Sequence, residues 1–236
     1  TPEEKTVWSR RYLKDRERGR KDLLWLCNKV LAYTDVESAV HGPVIGHMQQ
    51  FRGREEYIEP NTLAIAWSEP RCAFHSAGDP VCASGCFGRT YWTLPGAHWR
   101  MLLDPRGSFK TTVATIAHSI QWILNYPDIR IGLSVASFKP RGVEIITEIE
   151  DHFRYNAFFR FLYPEFCPPT DSVESWGNQD SFDAPNRKVY RNSPTMELIS
   201  IGGTSTGSHK DVIKNSDLVT EQNVKTDGGI TDVKMH

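Results

Sequence analysis

The chain has 236 residues, 39% hydrophobic and 11% aromatic, which supplies apolar material for one large α/β domain or a domain with an appendage and excludes global disorder. Its 28 Lys and Arg against 29 Asp and Glu leave a formal net charge of -1, which argues against a uniformly basic nucleic-acid coat while leaving room for a local basic patch. No long apolar run suggests a membrane span, and the first residues lack the apolar core of a signal peptide, so a soluble, intracellular chain without membrane partners is expected. The first residue is Thr1 rather than Met, which points to a piece of something longer.

Taken in chain order, Arg10, Arg11, Lys14, Arg16, Arg18, Arg20 and Lys21 crowd the first helical candidate, relieved only by Asp15 and Glu17. The run then turns apolar, with Leu23, Leu26, Val30 and Leu31 at helical spacing. Residues 1–60 therefore read as a basic helical arm leading into packed helices, the alternative for the basic stretch being a solvated helix face. Residues 61–98 form a loop-rich insertion, dominated from Pro70 to Gly96 by Gly, Pro, Ser and Cys. Regular structure resumes in the core, residues 99–236. Trp99–Leu103 suits a buried strand, and after a turn Val113, Ile116, Ala117, Ile120 and Leu124 fall on one helix face that stops near Asn125-Tyr126-Pro127. Ile129, Ile131, Leu133 and Val135 alternate as a strand, and Val143, Ile146, Ile149 and Phe153 mark a helix after Pro140. Met196–Gly202 and the stretch around Asp211–Ile213 are further strand candidates. Strand, helix, strand, helix in this order predicts an α/β fold with a mostly parallel sheet and crossover helices.

Between the first strand and helix lies Asp104-Pro105-Arg106-Gly107-Ser108-Phe109-Lys110-Thr111-Thr112. In the phosphate-binding loop G-x-x-x-x-G-K-[ST], backbone N–H groups and the helix N-terminus hold phosphates, the lysine reaches the β/γ oxygens and the hydroxyl binds Mg²⁺. Lys110 and Thr111 keep that order, but Asp104 and Phe109 occupy the glycine positions. Phe109 threatens to crowd a ligand, and Gly107 offers backbone freedom two residues earlier. Ser108 and Phe109 would contribute backbone N–H groups; a chance strand–turn–helix is the competing reading.

The segment from Arg100 to Ser137, continuing through Glu150–Phe166, resembles the ATPase domain of tailed-phage large terminases, a P-loop NTPase of the additional-strand, catalytic-glutamate type. The resemblance rests on the P-R-G-x-x-K-[ST]-like loop with Arg106 four residues before Lys110, on the Pro127-Asp128 helix end with its alternating strand, and on the F-R-x-L-x-P-E segment Phe159–Glu165. Leu26–Phe51 is similar to the family's N-terminal helices and Thr206–Val224 to its Walker B region, so the likeness spans roughly residues 20 to 227 except the insertion. It implies ATP and Mg²⁺ as cofactors and hydrolysis that drives double-stranded DNA into a procapsid. It also implies a homo-oligomeric ring docked on the portal protein, a small terminase subunit as partner, and a place in the host cytoplasm rather than the mature virion. The family's nuclease domain follows the ATPase domain and is not expected within this chain.

Against the family's Walker B pattern the chain reads Asp211-Val212-Ile213-Lys214-Asn215-Ser216-Asp217-Leu218-Val219. Ser216 replaces the Mg²⁺ acid, Asp217 stands as catalytic base, and Lys214 interrupts the apolar run. A weakened motor, a different register, or help from Glu221 or Asp211 remain open. Arg106 is a candidate for the charge developing at the γ-phosphate, or for fixing the turn through Asp104. Arg141 reads as a surface residue in preference to a lid arginine. The rivals to a motor are a catalytically weakened nucleotide-binding or assembly module, another P-loop DNA translocase or helicase, and a zinc-stabilised nucleic-acid-binding domain.

The five cysteines do not suggest a disulfide scaffold. Cys72, His75, Cys82 and Cys86 are spaced as C-x2-H-x6-C-x3-C, a candidate structural zinc site whose alternative is a loop with reduced thiols. The other histidines show no ligand spacing, His118 falling on a core-bearing helix, and Gly202–Gly207 reads as a turn rather than a second phosphate cradle.

Overall fold

The structure, a computed structural model, describes residues 2–49, 71–72, 90–91, 102, 107–135, 138–173, 176–189, 192–199 and 210–216. The chain divides into two compact units, residues 1–34 with 111–236, and residues 35–110.

The first unit opens with α1 (Pro2–Lys21), which joins the short α2 (Leu23–Trp25) at Asp22, whose Oδ1 accepts from Trp25 N–H at 2.9 Å as an N-cap. Leu26–Val30 continues with the wider π-helical winding and buries Leu26, Cys27 and Val30. The basic arm is a helix, and part of its charge is engaged inside the chain. Arg16 pairs with Glu165 and donates to Tyr12 Oη at 2.8 Å, while Arg20 reaches Glu165 at 3.6 Å. Tyr163 is wholly buried and donates to the Arg16 carbonyl at 2.8 Å; a Cβ on Gly19 would stand 2.4 Å from its hydroxyl, so only glycine admits this approach. The Phe159–Glu165 segment is thus the seat of the N-terminal helix. Glu165 is 39% exposed, so its ion pairs add little energy, and the buried aromatic ring supplies the greater part.

After Lys110 the chain winds as a π-helical segment (Thr111–Ala117) that runs into α4 (His118–Asn125), stopping where the sequence places the stop. Asn125 donates to the Arg20 carbonyl at 2.9 Å, and Asp128 Oδ1 accepts from the N–H groups of Lys188 and Val189. Beyond β3 (Ile131–Val135) and a π-wound turn (Phe138–Gly142) come α5 (Val143–Arg154), α6 (Ala157–Leu162) and a single 3₁₀ turn (Pro164–Phe166). Three strands complete the unit: β4 (Ser181–Phe182), β5 (Met196–Ile199) and β6 (Val212–Ser216).

These form one mixed sheet in the order β4-β5-β3-β6, parallel at β5-β3 and β3-β6 and antiparallel at β4-β5, so the fold is α/β. The alternation of Ile129, Ile131, Leu133 and Val135 marks the strand, which runs from Ile131 to Val135 with all five residues buried. Ile131, Leu133 and Val135 line one face with Met196 and Leu198, and Gly132 and Ser134 fill the other. A Cβ on Gly132 would lie 2.2 Å from Ile199 Cδ1 and 3.3 Å from Lys210 Cγ. Lys210 lays its stem across this glycine and pairs with Glu197 at 2.5 Å. Helix α5 buries Ile146, Ile149 and Phe153 as expected, with Ile145 buried and Val143 only half-buried, and Arg141 is exposed and paired with Glu144.

In the second unit, α3 spans Ser38–Gln49 and β1 (Arg71–Cys72) pairs antiparallel with β2 (Thr90–Tyr91) across the expected insertion. The strand expected at Trp99–Leu103 lies outside the described residues apart from Leu102. Among the described residues no helix is long and apolar enough to cross a membrane.

Gly132→Ala is expected to cost about 1–3 kcal/mol, because Ile199 and the Lys210–Glu197 pair must shift together. A lowered urea midpoint with unchanged slope would record it; an unchanged midpoint would show that the Lys210 stem does not rest on this residue.

Candidate functional site

The turn that enters the Lys110 helix carries two residues in left-handed backbone, Gly107 at φ +81 and Phe109 at φ +51. Glycine adopts this conformation freely, whereas a side chain there costs on the order of 1–2 kcal/mol. Phe109 therefore holds a backbone conformation that glycine would adopt at less cost. Its ring is 41% exposed and meets His41 edge-on, with centroids 5.7 Å apart at 74°. His41 is itself fixed, since Nδ1 accepts from Glu37 N–H at 2.9 Å. The aromatic contact offsets some of the backbone cost.

Thr111 and Thr112 open the π-wound segment and are half-buried. Ser216, 8% exposed, ends β6 in register with Val135, so the carboxyl ends of β3 and β6 lie on one edge of the sheet. Open α/β sheets bind ligands at such carboxyl edges. Thr111, Thr112 and Ser216 belong to the first unit, and Gly107, Ser108, Phe109 and Lys110 to the second. Asp104, Pro105, Arg106, Asp217, Glu221, His75, Cys82 and Cys86 lie outside the described residues, and Cys72 is described only as backbone of β1.

Two expectations about β6 change. Asp211 does not assist Ser216: it precedes the strand, at the opposite end, and grips Arg130 through both carboxylate oxygens at 2.8 and 3.0 Å. Lys214 does not merely interrupt an apolar run. It is buried, donating from Nζ to the Ala114 carbonyl at 2.6 Å and lying 3.3 Å from His118 Nδ1, while Ile213 is 59% exposed. The parallel register with β3 imposes this inversion, because it places Lys214 opposite Leu133 on the helix-covered face.

Sequence reasoning passes over two other clusters. A groove of about 550 Å³ is lined by Lys29, Tyr33, Glu148, His152, Tyr155 and Phe158, among others. In it Tyr33 donates to Glu148 at 2.7 Å and meets His152 Nε2 at 2.9 Å, while Asn156 donates to the Val30 carbonyl at 2.7 Å and lies 3.1 Å from His152 Nδ1. Burial pushes His152 down to about 4 and raises Tyr33 above its ordinary value. This chain of contacts links α5 to residues 30–33.

The second cluster is Glu150, 3% exposed on α5, paired with Arg154 at 2.9 Å. Gly177, at φ +74, packs so closely that a Cβ would stand 2.6 Å from Glu150 Oε1. Burial, outweighing the attraction of Arg154, pushes the Glu150 carboxyl up to about 7. Neither group carries a sequence signal, since both depend on what the fold packs over them.

No family model matches the chain, and comparison with curated proteins finds no match.

A carboxyl that binds its proton more tightly when folded stabilises the fold at low pH and loses that contribution as pH rises toward about 7. Glu150→Gln, which cannot ionise, is therefore expected to gain stability over the wild type as pH rises from 5 to 8, by about 1–3 kcal/mol at the upper end. Urea unfolding at the two pH values measures this; a difference independent of pH would mean that Glu150 is ionised throughout.

Proposed function

We propose that the chain is a P-loop ATPase module of the terminase type, binding ATP at Asp104–Thr112 and coupling its hydrolysis to movement of double-stranded DNA. The observation that carries this reading is Phe109: a bulky residue in the one conformation that a phosphate loop requires of the glycine at that position.

In this reading the backbone N–H groups of Gly107, Ser108 and Phe109 face the phosphates, and the left-handed residues turn the chain so that successive N–H groups converge. The Phe109 ring is directed to His41. Lys110 supplies a positive charge to the β/γ oxygens, and Arg106 answers the charge that develops on the transferred phosphoryl group. The Thr111 and Ser216 hydroxyls suit one or two positions of a hydrated Mg²⁺, with Asp217 or Glu221 as the carboxylate that orients water. Bound Mg²⁺ would neutralise phosphate charge in the transition state. A ring on a portal, a small terminase subunit, and a zinc ion on Cys72, His75, Cys82 and Cys86 belong to the same reading. DNA would be held through its phosphates without regard to sequence.

Ser216 favours a second reading. A neutral, buried hydroxyl ends β6 where the motor pattern has an acid, as suits a module that binds nucleotide and assembles without turning it over.

Lys110→Ala is expected to weaken ATP binding by about tenfold to a hundredfold, and Phe109→Gly to leave it within about threefold, since glycine adopts the same backbone without cost. Calorimetric titration reads both, and equal affinity in Lys110→Ala would remove the phosphate-loop assignment. Turnover with and without Ser216→Asp separates the two readings: a motor gains or keeps hydrolysis, and an assembly module stays inert in both forms.

A further inference from the structure

Lys214 is a buried amine in the described core. Its amine lies along one stripe of the helix that follows Lys110, donating to the Ala114 carbonyl at 2.6 Å, 3.3 Å from His118 Nδ1 and 4.8 Å from the centroid of the Trp122 ring. Ala114, His118 and Trp122 are four residues apart and so share a helix face. None of these partners is a carboxylate, and burial alone pushes the amine well below its ordinary value. For stability alone a methionine or leucine would serve better, because it avoids desolvating an amine. What a lysine adds is direction: a hydrogen bond to one carbonyl fixes a strand to a helix at one register, where apolar packing allows sliding. The carbonyl it selects lies in the π-wound segment Thr111–Ala117, a winding that recurs at functional positions.

We propose that Lys214 is a positioning residue, which ties β6 to the helix after Lys110 and thereby holds Ser216 in fixed register with Thr111. Ser216 lies two residues beyond Lys214 on the same face of β6, and Thr111 three residues before Ala114. The role given to Ser216 and Thr111 rests on the function proposed above; the tie between strand and helix does not.

The experiment uses the full chain and Lys214→Met, which keeps the apolar stem and removes the amine. Three quantities are read: the ¹⁵N spectrum of the His118 imidazole, amide exchange at Asn215 and Ser216, and kcat and KM for ATP. The tie predicts that His118 passes from one tautomer to a mixture and that exchange at the two amides rises about tenfold or more. Positioning predicts that kcat falls about tenfold while KM stays within about threefold. An unchanged His118 spectrum with unchanged exchange overturns the tie. Altered spectra with kcat and KM both unaltered overturn the positioning role. If the wild type hydrolyses no ATP, the motor reading of Thr111 and Ser216 fails and the positioning role with it, and the tie stands or falls on the spectrum and the exchange. Should Lys214→Met not fold, the wild-type Lys214 Nζ resonance decides the tie: an amine held by Ala114 exchanges its protons slowly enough to be observed, and one that exchanges as fast as surface lysines overturns it.

Discussion

The described sheet depends on the enclosure of β3, which is bonded on both edges, by β5 and β6, and buried on both faces. Burying Ile131, Leu133 and Val135 contributes about 1.5–3 kcal/mol each. The enclosure also dictates its neighbours. The parallel register carries Lys214 and Ser216 onto the face of Leu133 and Val135, and leaves Ile213 and Asn215 facing outward. A one-residue slip would bury Ile213 and release the lysine, at the expense of every pairing in the ladder. The strand therefore accepts an inverted hydropathy pattern for the sake of its register.

Buried polar groups recur through the same unit, and several are attached to joints between elements. Lys214 joins β6 to the helix after Lys110, His152 and Asn156 join α5 to the end of the π-wound segment at Val30, and Glu150 with Arg154 meets the chain at Trp176 and Gly177. Lys210 and Glu197 lie together over Gly132. Apolar packing would hold these joints with less desolvation, but a hydrogen bond of defined length admits fewer alternative arrangements. The N-terminal helix follows a different rule: its anchor is the buried Tyr163 ring passing Gly19, with Arg16 and Arg20 around the exposed Glu165 as a screened supplement.

The turn before Lys110 holds two residues, Gly107 and Phe109, in left-handed backbone. A phosphate loop needs backbone torsions rather than glycine as such, and glycine is merely the residue for which those torsions cost least. Phe109 holds its left-handed backbone with its ring against His41, some seventy positions earlier in the chain and without any local sequence signal. A reading by letters treats Phe109 as a defect. A reading by torsions finds a residue in left-handed backbone there.

Periodicity in the sequence was enough to locate α4, β3 and α5, and the order of strand and helix was enough for the α/β class, because spacing of apolar residues reports which face a segment buries. It also placed Lys110 and Thr111 at the start of a helix and Ser216 near a strand end. It did not reveal that Gly132 and Ser134 are as buried as their apolar neighbours, that Asp211 is committed to Arg130, or that Lys214 points inward. Those depend on strand order and register, which bring together residues some eighty to a hundred positions apart. Local hydropathy registers only what a residue prefers for itself; the tertiary structure decides which preferences are overruled, since a ladder of backbone hydrogen bonds outweighs the burial cost of a single amine.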